Sequence, residues 1–193
     1  MLTDNTINTI NIMQKVTLIT ASPRKKGNSN KMAAWFKEEA EKHGATVTTF
    51  DAVALKLDGC HACNACYKSG HACAFEHGFD PIAESILESD TIVFTIPVYW
   101  FSMPGQVKNI IDHLYALFVG GKDFGKKHMV VLGTMGQPVA TNVFEGVTVS
   151  LKKSAEFVGW TYEELCYGEM NDPDAILDTD AKEQIARIVE KLS

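Results

Sequence analysis

Apolar residues along this chain recur in two rhythms. Short, nearly continuous runs occupy residues 16–20, 45–50, 91–96, 129–132 and 161–167, the pattern expected of strands. The third reads Thr-Ile-Val-Phe-Thr-Ile, rich in β-branched and aromatic side chains, as a parallel strand covered on both faces would be. Between the runs the period changes to 3.6. Residues 28–43 place Met32, Phe36 and Ala40 on one stripe, and Gly44 ends the pattern as a C′ residue. Pro104 opens a second helix at N1, with Val107, Ile110, Ile111, Leu114 and Phe118 in helical register and Gly120-Gly121 closing it. A third helix is predicted over 142–158. The last starts near Asp180, where Glu183 completes a capping-box-like pair, and buries Ile185, Ile188, Val189 and Leu192.

Strands alternating with helices predict a parallel sheet with helices on both faces. Five such units make an α/β, flavodoxin-like, doubly wound five-stranded sheet of strand order 2-1-3-4-5. Residues 1–14 read as an N-terminal tail and 15–193 as one domain. The tail is either an arm packed on the domain or a stretch preceding a start at Met13. One irregular segment, 54–78, is long for a compact domain, and such segments are usually functional.

Composition narrows the classes. Apolar residues are 46% and charged residues 22%, an ordinary globular balance that argues against disorder or fibrous repeats. The uncharged stretch 91–107 is broken by Pro97, Pro104 and Gly105, so it is not read as a bilayer span, which needs about 20 mostly apolar residues; no membrane partner is expected. Residues 1–12 contain no Lys or Arg and no apolar h-region, so a secretory leader is not expected and a cytoplasmic protein is. The whole net charge of −6 falls in 161–193, read as a solvated helix face. With Arg24 and Arg187 as its only arginines, the chain is a poor nucleic-acid binder.

Three loops at one sheet edge carry the chemistry. Ser22-Pro-Arg-Lys-Lys-Gly-Asn-Ser-Asn30 follows strand one and opens helix one. It is neither G-x-G-x-x-G nor a Walker loop. The hydroxyls of Ser22 and Ser29, the Asn28 amide, the Arg24 cation and free backbone N–H groups nevertheless converge at a helix N-terminus, which favours an anion. Pro97-Val-Tyr-Trp-Phe-Ser-Met-Pro104 follows strand three, facing the first loop across the switch point where open α/β sheets bind ligands. Tyr99, Trp100 and Phe101 there could wall a flat ring system. Gly133-Thr-Met-Gly-Gln-Pro138 after strand four adds backbone donors at the same edge. A phosphate cradle beside a slot for a planar heterocycle fits FMN best.

The first loop, together with Pro97-Val-Tyr-Trp-Phe-Ser-Met-Pro-Gly-Gln-Val-Lys-Asn-Ile-Ile-Asp112, resembles the two signatures of the NADPH-dependent FMN reductase family, which has a flavodoxin-like fold. The resemblance covers about residues 16–118. It implies that Ser22, Arg24, Asn28 and Ser29 hold the FMN phosphate. Pro97, Val98, Tyr99, Trp100 and Phe101 would line the isoalloxazine, and Thr134, Met135, Gly136 and Gln137 would approach its pyrimidine side. It also implies NAD(P)H as co-substrate, a flavin, quinone or other small molecule as acceptor, and a homo-oligomer in which a second subunit covers the flavin slot. Ala21 stands where the family usually has Gly before Ser-Pro; a left-handed backbone there would strain Ala. No acid–base constellation is needed, because hydride and electron transfer are the flavin's own chemistry.

Four of the five cysteines lie in the irregular segment as Cys60-x2-Cys63-x2-Cys66-x6-Cys73. Two-residue gaps let thiolates curl round one centre, but the last spacing departs from bacterial ferredoxins. The spacing resembles that of iron–sulfur flavoproteins, which hold a [4Fe–4S] cluster beside FMN and would make the chain an electron carrier for a ferredoxin-like partner. Three readings stay open: an iron–sulfur site, zinc aided by His61, His71 or His77 in a metal-binding module, and metal-free redox thiols. Cys166 is expected to be a small core residue. His113 falls on the polar side of its helix pattern, where a surface or capping role is expected.

Overall fold

A computed structural model describes residues 14–75 and 78–193; residues 1–13 of the expected 1–14 tail, with the alternative start at Met13, and His77 lie outside these. The elements run β1 (Lys15–Thr20), α1 (Asn28–Lys42), β2 (Thr46–Asp51), α2 (Asp80–Glu88), β3 (Thr91–Pro97), α3 (Gly105–Val119), β4 (His128–Thr134), α4 (Glu145–Val158), β5 (Thr161–Tyr167) and α5 (Ala181–Leu192). All strand pairs are parallel and the order is β2-β1-β3-β4-β5, the doubly wound arrangement anticipated above. Thr49, Leu18, Val93, Val130 and Glu163 form one continuous row across the sheet. The row is apolar at its centre and polar at both edges, as a sheet covered by helices requires.

Alternation along the strands sends side chains to two separate cores. Val16, Leu18, Val93, Val130 and Leu132 pack against Met32 and Phe36 of α1 and Ile185 and Val189 of α5. Ile19, Phe94, Ile96, Met129 and Val131 pack under Ile82 and Ile86 of α2, Val107 and Ile110 of α3 and Val147 and Leu151 of α4. All β1, β3, β4 and β5 C-terminal ends therefore open on one edge of the molecule.

Four expectations are corrected. Helix α2 is absent from the sequence reading, since its nine residues bury only Ile82, Ala83 and Ile86, too few for a clear period. Helix α4 begins at Glu145 rather than at 142, because Asn142 is left-handed (φ 55°) and ends a short 3₁₀ turn over Val139–Thr141. No capping box forms at α5: the Asp180 carboxylate instead accepts from the Tyr167 hydroxyl (2.6 Å) and Gln184 Nε2 (2.8 Å). His113 is buried, with Nδ1 donating to the Asn109 carbonyl (2.7 Å) and its ring 5.0 Å from that of Phe79. Part of the polar side of α3 is covered: Asn109 is bonded to Leu57 O, and His113 lies against Phe79.

Candidate functional site

The β1–α1 loop is wound tightly around its own carbonyls. Gly27 N–H donates to Arg24 O (2.8 Å), and Asn30 Nδ2 donates to Ser22 O (3.2 Å) and Arg24 O (3.0 Å). The buried Ser22 hydroxyl accepts from Arg24 N–H (3.2 Å). With carbonyls turned inward, N–H groups are left facing out. Among the described residues, the Asn28 and Ser29 amides at the start of α1 take no protein acceptor, the arrangement that attracts an anion. A Cβ on Gly27 would lie 3.0 Å from Arg24 O and 3.2 Å from Arg24 Cβ, so only glycine leaves this concavity open. Lys25 is paired with Asp51 (2.5 Å), whereas Arg24 and Lys26 form no ion pair among the described residues. Ala21 is buried, donates to Thr95 O (3.1 Å) and is not left-handed, so alanine fits there without strain.

The β3–α3 loop is fixed by Val98 N–H donating to Thr134 O (2.8 Å). Beyond it, Tyr99 and Ser102 exchange two backbone hydrogen bonds (2.9 and 3.1 Å) around a two-residue turn. Both central residues, Trp100 (φ 45°) and Phe101 (φ 66°), are left-handed, a conformation that normally selects Asn-Gly. Such strain in bulky residues persists only where the surroundings impose it. Here the turn lies against α4: Ser102 Oγ donates to Gly146 O (3.0 Å), and a Cβ on Gly146 would sit 1.8 Å from the Phe101 carbonyl oxygen.

These loops and the β4 end enclose a cleft of about 630 Å³ lined by Ser22, Arg24, Asn28, Ser29, Pro97, Val98, Tyr99, Thr134, Met135 and Gly136. Ten of the expected residues are thus brought together. Trp100, Phe101 and Gln137 are not on its wall; Trp100 is 92% exposed, and the Gln137 carbonyl accepts from Glu169 N–H (3.1 Å). Asn28 contributes differently from the expectation. Its side chain donates to the carbonyls of Met170 (3.4 Å) and Asp172 (2.7 Å) and accepts from Ile176 N–H (3.3 Å), leaving only its backbone amide for a ligand.

Those contacts reveal a wall missed from sequence. After β5 the chain forms a strap, residues 168–174, whose Met170, Asn171, Asp172 and Pro173 line the cleft. Met170 N–H donates to Met135 O (2.9 Å) and Asn171 Nδ2 to Gly136 O (3.3 Å). Gly168 packs so closely that a Cβ would lie 2.5 Å from Gln137 O. Gly168 before an Asn-Asp-Pro turn was the one local sign of it.

The cysteine segment covers α3. Asn109 Nδ2 donates to Leu57 O (2.6 Å), the Tyr67 ring covers Gly120, and the Asp80 carboxylate binds His71 Nδ1 (2.8 Å) and Ala72 N–H (2.7 Å). Ala62 and Asn64 on either side of Cys63, and Tyr67 after Cys66, are left-handed, bending the backbone at these two cysteines. All four thiols of the segment line one cavity of about 190 Å³, together with Asp112, His113 and Tyr115 of α3, and none is in a disulfide. Burial pushes the Cys66 thiol up, and the neighbouring Cys73, Cys63 and Cys60 add to the effect. Among the described residues no three His, Cys, Asp or Glu side chains are disposed to hold a single metal ion. His61 packs at a tilt on Phe75 (4.5 Å), and His71 Nδ1 is bonded to Asp80, a carboxylate contact that fixes the ring and leaves its Nε2 uncommitted. Cys166 is only half-buried, on edge strand β5, and burial pushes its thiol to about 12.

Residues 14–145 match the NADPH-dependent FMN reductase family. The chain belongs to that family. One curated relative, an iron-sulfur flavoprotein of Archaeoglobus fulgidus, is 31% identical over 96 residues, which are 50% of this chain and 43% of the relative; this chain therefore matches less than half of that protein. The NAD(P)H:quinone oxidoreductase of Methanothermobacter marburgensis superposes with a TM-score of 0.75 at 20% identity, over 94% of this chain and 96% of its own. An FMN-dependent NADH-azoreductase of Bacillus anthracis, solved in complex with FMN, superposes at 0.67 and 18% identity, over 93% and 99%. At these identities the two likenesses establish the fold, which is the flavodoxin-like one.

Proposed function

We propose that this protein is an FMN-dependent oxidoreductase that passes hydride or electrons from NAD(P)H to a flavin, quinone or other small acceptor. The cleft carries this reading: a glycine-lined concavity of outward N–H groups at the α1 N-terminus opens into a slot bounded by Pro97, Val98, Tyr99 and the β4 loop. Its two ends match the two ends of FMN, a dianionic phosphate and a flat ring. Bound FMN would supply the hydride and electron chemistry. The chain's own part is positional. Ser22, Ser29, Arg24 and the first amides of α1 hold the phosphate, the rigid Val98–Thr134 contact fixes the slot wall, and Met135 and Gly136 present backbone groups to the ring edge. No helix among the described residues is long and apolar enough to cross a membrane, and the free thiols suit a reducing, cytoplasmic setting. The test is to add FMN to flavin-free protein and follow NADH and NADPH oxidation with a soluble quinone. Quinone reduction that requires FMN supports the reading; protein that stays colourless and inactive with FMN refutes it.

A second reading rests on the cysteine cavity. Four free cysteines lining one cavity are the ligand type an iron–sulfur cluster takes. Cys60, Cys63, Cys66 and Cys73 would hold a [4Fe–4S] cluster, making the chain an electron carrier for a ferredoxin-like protein. Anaerobic purification with iron and acid-labile sulfide assays decides: about four of each per chain is expected for that cluster, and neither would leave the thiols metal-free. We further propose a homo-oligomer. The strained turn holds Trp100 92% and Phe101 58% exposed beside the open cleft, where a second copy would cover them; light scattering should give a multiple of 21.2 kDa.

A further inference from the structure

The strap 168–174 does more than border the cleft. One of the side chains that connect it to the opposite rim, Lys31, is not used by the mechanism above. Lys31, on the first turn of α1, extends its ammonium to the Lys26 carbonyl of the phosphate loop, the Pro173 carbonyl of the strap (2.7 Å) and the Asp174 carboxylate (2.8 Å). One cation thus ties the two rims together. The Lys31 side chain is only 20% accessible, whereas its Asp174 partner is 75% accessible and the two carbonyl contacts lie at the surface, so solvent screens the ion pair and the three contacts act together rather than singly. Asn28, one turn earlier, fastens the same strap from beneath through Met170 O and Asp172 O. An ammonium has three donors, and here three acceptors receive them.

Closure at this place has a chemical consequence. The concavity at the α1 N-terminus suits a terminal phosphate monoester, with two or three oxygens accepting N–H groups. A ligand esterified further at that phosphate needs room past the residues around it, and Lys25, Lys26, Asp172 and Pro173 are among those that line the cleft. Lys31 bonds the carbonyls of two of them, Lys26 and Pro173. Parting them would break the Lys26 and Pro173 bonds and leave Asp174 unpaired. An exit on the strap side would also pass the acidic Asp172, which repels a pyrophosphate.

We propose that Lys31 and Asn28 are positioning residues forming a clasp that holds the strap across the phosphate end, so that the site selects a terminal monophosphate, FMN, over the dinucleotide FAD and releases it slowly. This rests on the FMN reading above. It predicts selectivity and residence time from residues that make no contact with the flavin ring.

The test compares FMN and FAD binding and dissociation by flavin fluorescence in the full chain. Wild type should bind FMN in preference to FAD. Lys31→Met should raise the FMN dissociation rate about tenfold, as loss of a charge-assisted set implies, leave association nearly unchanged, and narrow the FMN-to-FAD ratio. Lys31→Arg should restore both. Asp174→Asn, at a surface position, should shift both in the same direction by less; it serves if Lys31→Met does not fold. A wild type indifferent between FMN and FAD, or variants with unchanged dissociation and ratio, overturns the clasp while leaving the FMN reading intact. A wild type that binds neither flavin removes the FMN reading itself, and the clasp with it.

Discussion

Gly27→Ala isolates the phosphate cradle from the stability of the fold. Gly27 is the N-cap of α1 with φ −71° and ψ 164°, extended backbone open to any residue, so alanine meets no conformational barrier. Two small effects on stability oppose each other. Alanine reduces unfolded-state entropy, a gain of about 0.4–1 kcal/mol, but is a poorer N-cap than glycine by a similar amount. Melting temperature should therefore stay close to wild type. The cradle responds differently. The new methyl would lie 3.0 Å from Arg24 O and 3.7 Å from Ser22 Oγ, so the loop must move by a few tenths of an ångström. That movement displaces the Ser22 hydroxyl and the amides that face the phosphate. Charge-assisted hydrogen bonds contribute about 1.5–3 kcal/mol each, and loss of roughly half of one corresponds to about 1.4 kcal/mol, a tenfold rise in FMN Kd. Titration by flavin fluorescence quenching, run in parallel with riboflavin, reads this out. Riboflavin has no phosphate, so its Kd should barely change. Equal weakening of both flavins, or an unchanged FMN Kd, would refute the cradle.

Other outcomes follow from the same geometry. Gly146→Ala should weaken FMN binding and lower Tm, since a Cβ 1.8 Å from Phe101 O forces the 99–102 turn off α4; an unchanged Tm would contradict that packing. Gly133→Ala should destabilise by about 1–3 kcal/mol, the usual range for overpacking, because its Cβ would enter the Phe144 ring at 2.0 Å; chemical denaturation measures it. Burial holds His128 below its ordinary value of 6.5. The unfolded chain then binds the extra proton first, so stability falls as pH drops through 6.5. His128→Gln should flatten that slope in denaturation curves taken from pH 5 to 8, and an unaltered slope would contradict it. With its thiol at about 12, Cys166 should resist thiol reagents at pH 8 while exposed Cys60 and Cys63 react; peptide mapping after alkylation shows which are modified.

What the sequence made legible was what is local. Strand β3 announces itself because a strand buried on both faces must be apolar at every position, and the Ser22–Asn30 loop because a cradle is built from neighbouring residues. Where the structure departs, a remote segment covers what looked like surface. His113 reads as exposed because its helix face is polar, yet it is buried against Phe79, on a cavity it shares with Cys60, Cys63, Cys66 and Cys73. Asn28 reads as a phosphate ligand, but its amide is claimed by carbonyls at 170 and 172, partners that no local pattern reveals. Asp172 and Asp174 read as part of an acidic, solvated C-terminal region, whereas they belong to a wall of the cleft and to a pair with Lys31. The aromatic triplet 99–101 was legible as a cluster, but not the left-handed turn that leaves Trp100 and Phe101 exposed and off the cleft wall, with Tyr99 alone of the three lining it.

The central claim is that the β1–α1 loop and the start of α1 grip a phosphate while the loops after β3 and β4 hold a flat ring. Calorimetric titration of flavin-free protein with FMN and with riboflavin tests it most directly. The account predicts one FMN bound per chain, with riboflavin weaker by about a hundredfold, the worth of one charge-assisted hydrogen bond. Equal affinity for the two flavins, or no binding of either, would contradict it.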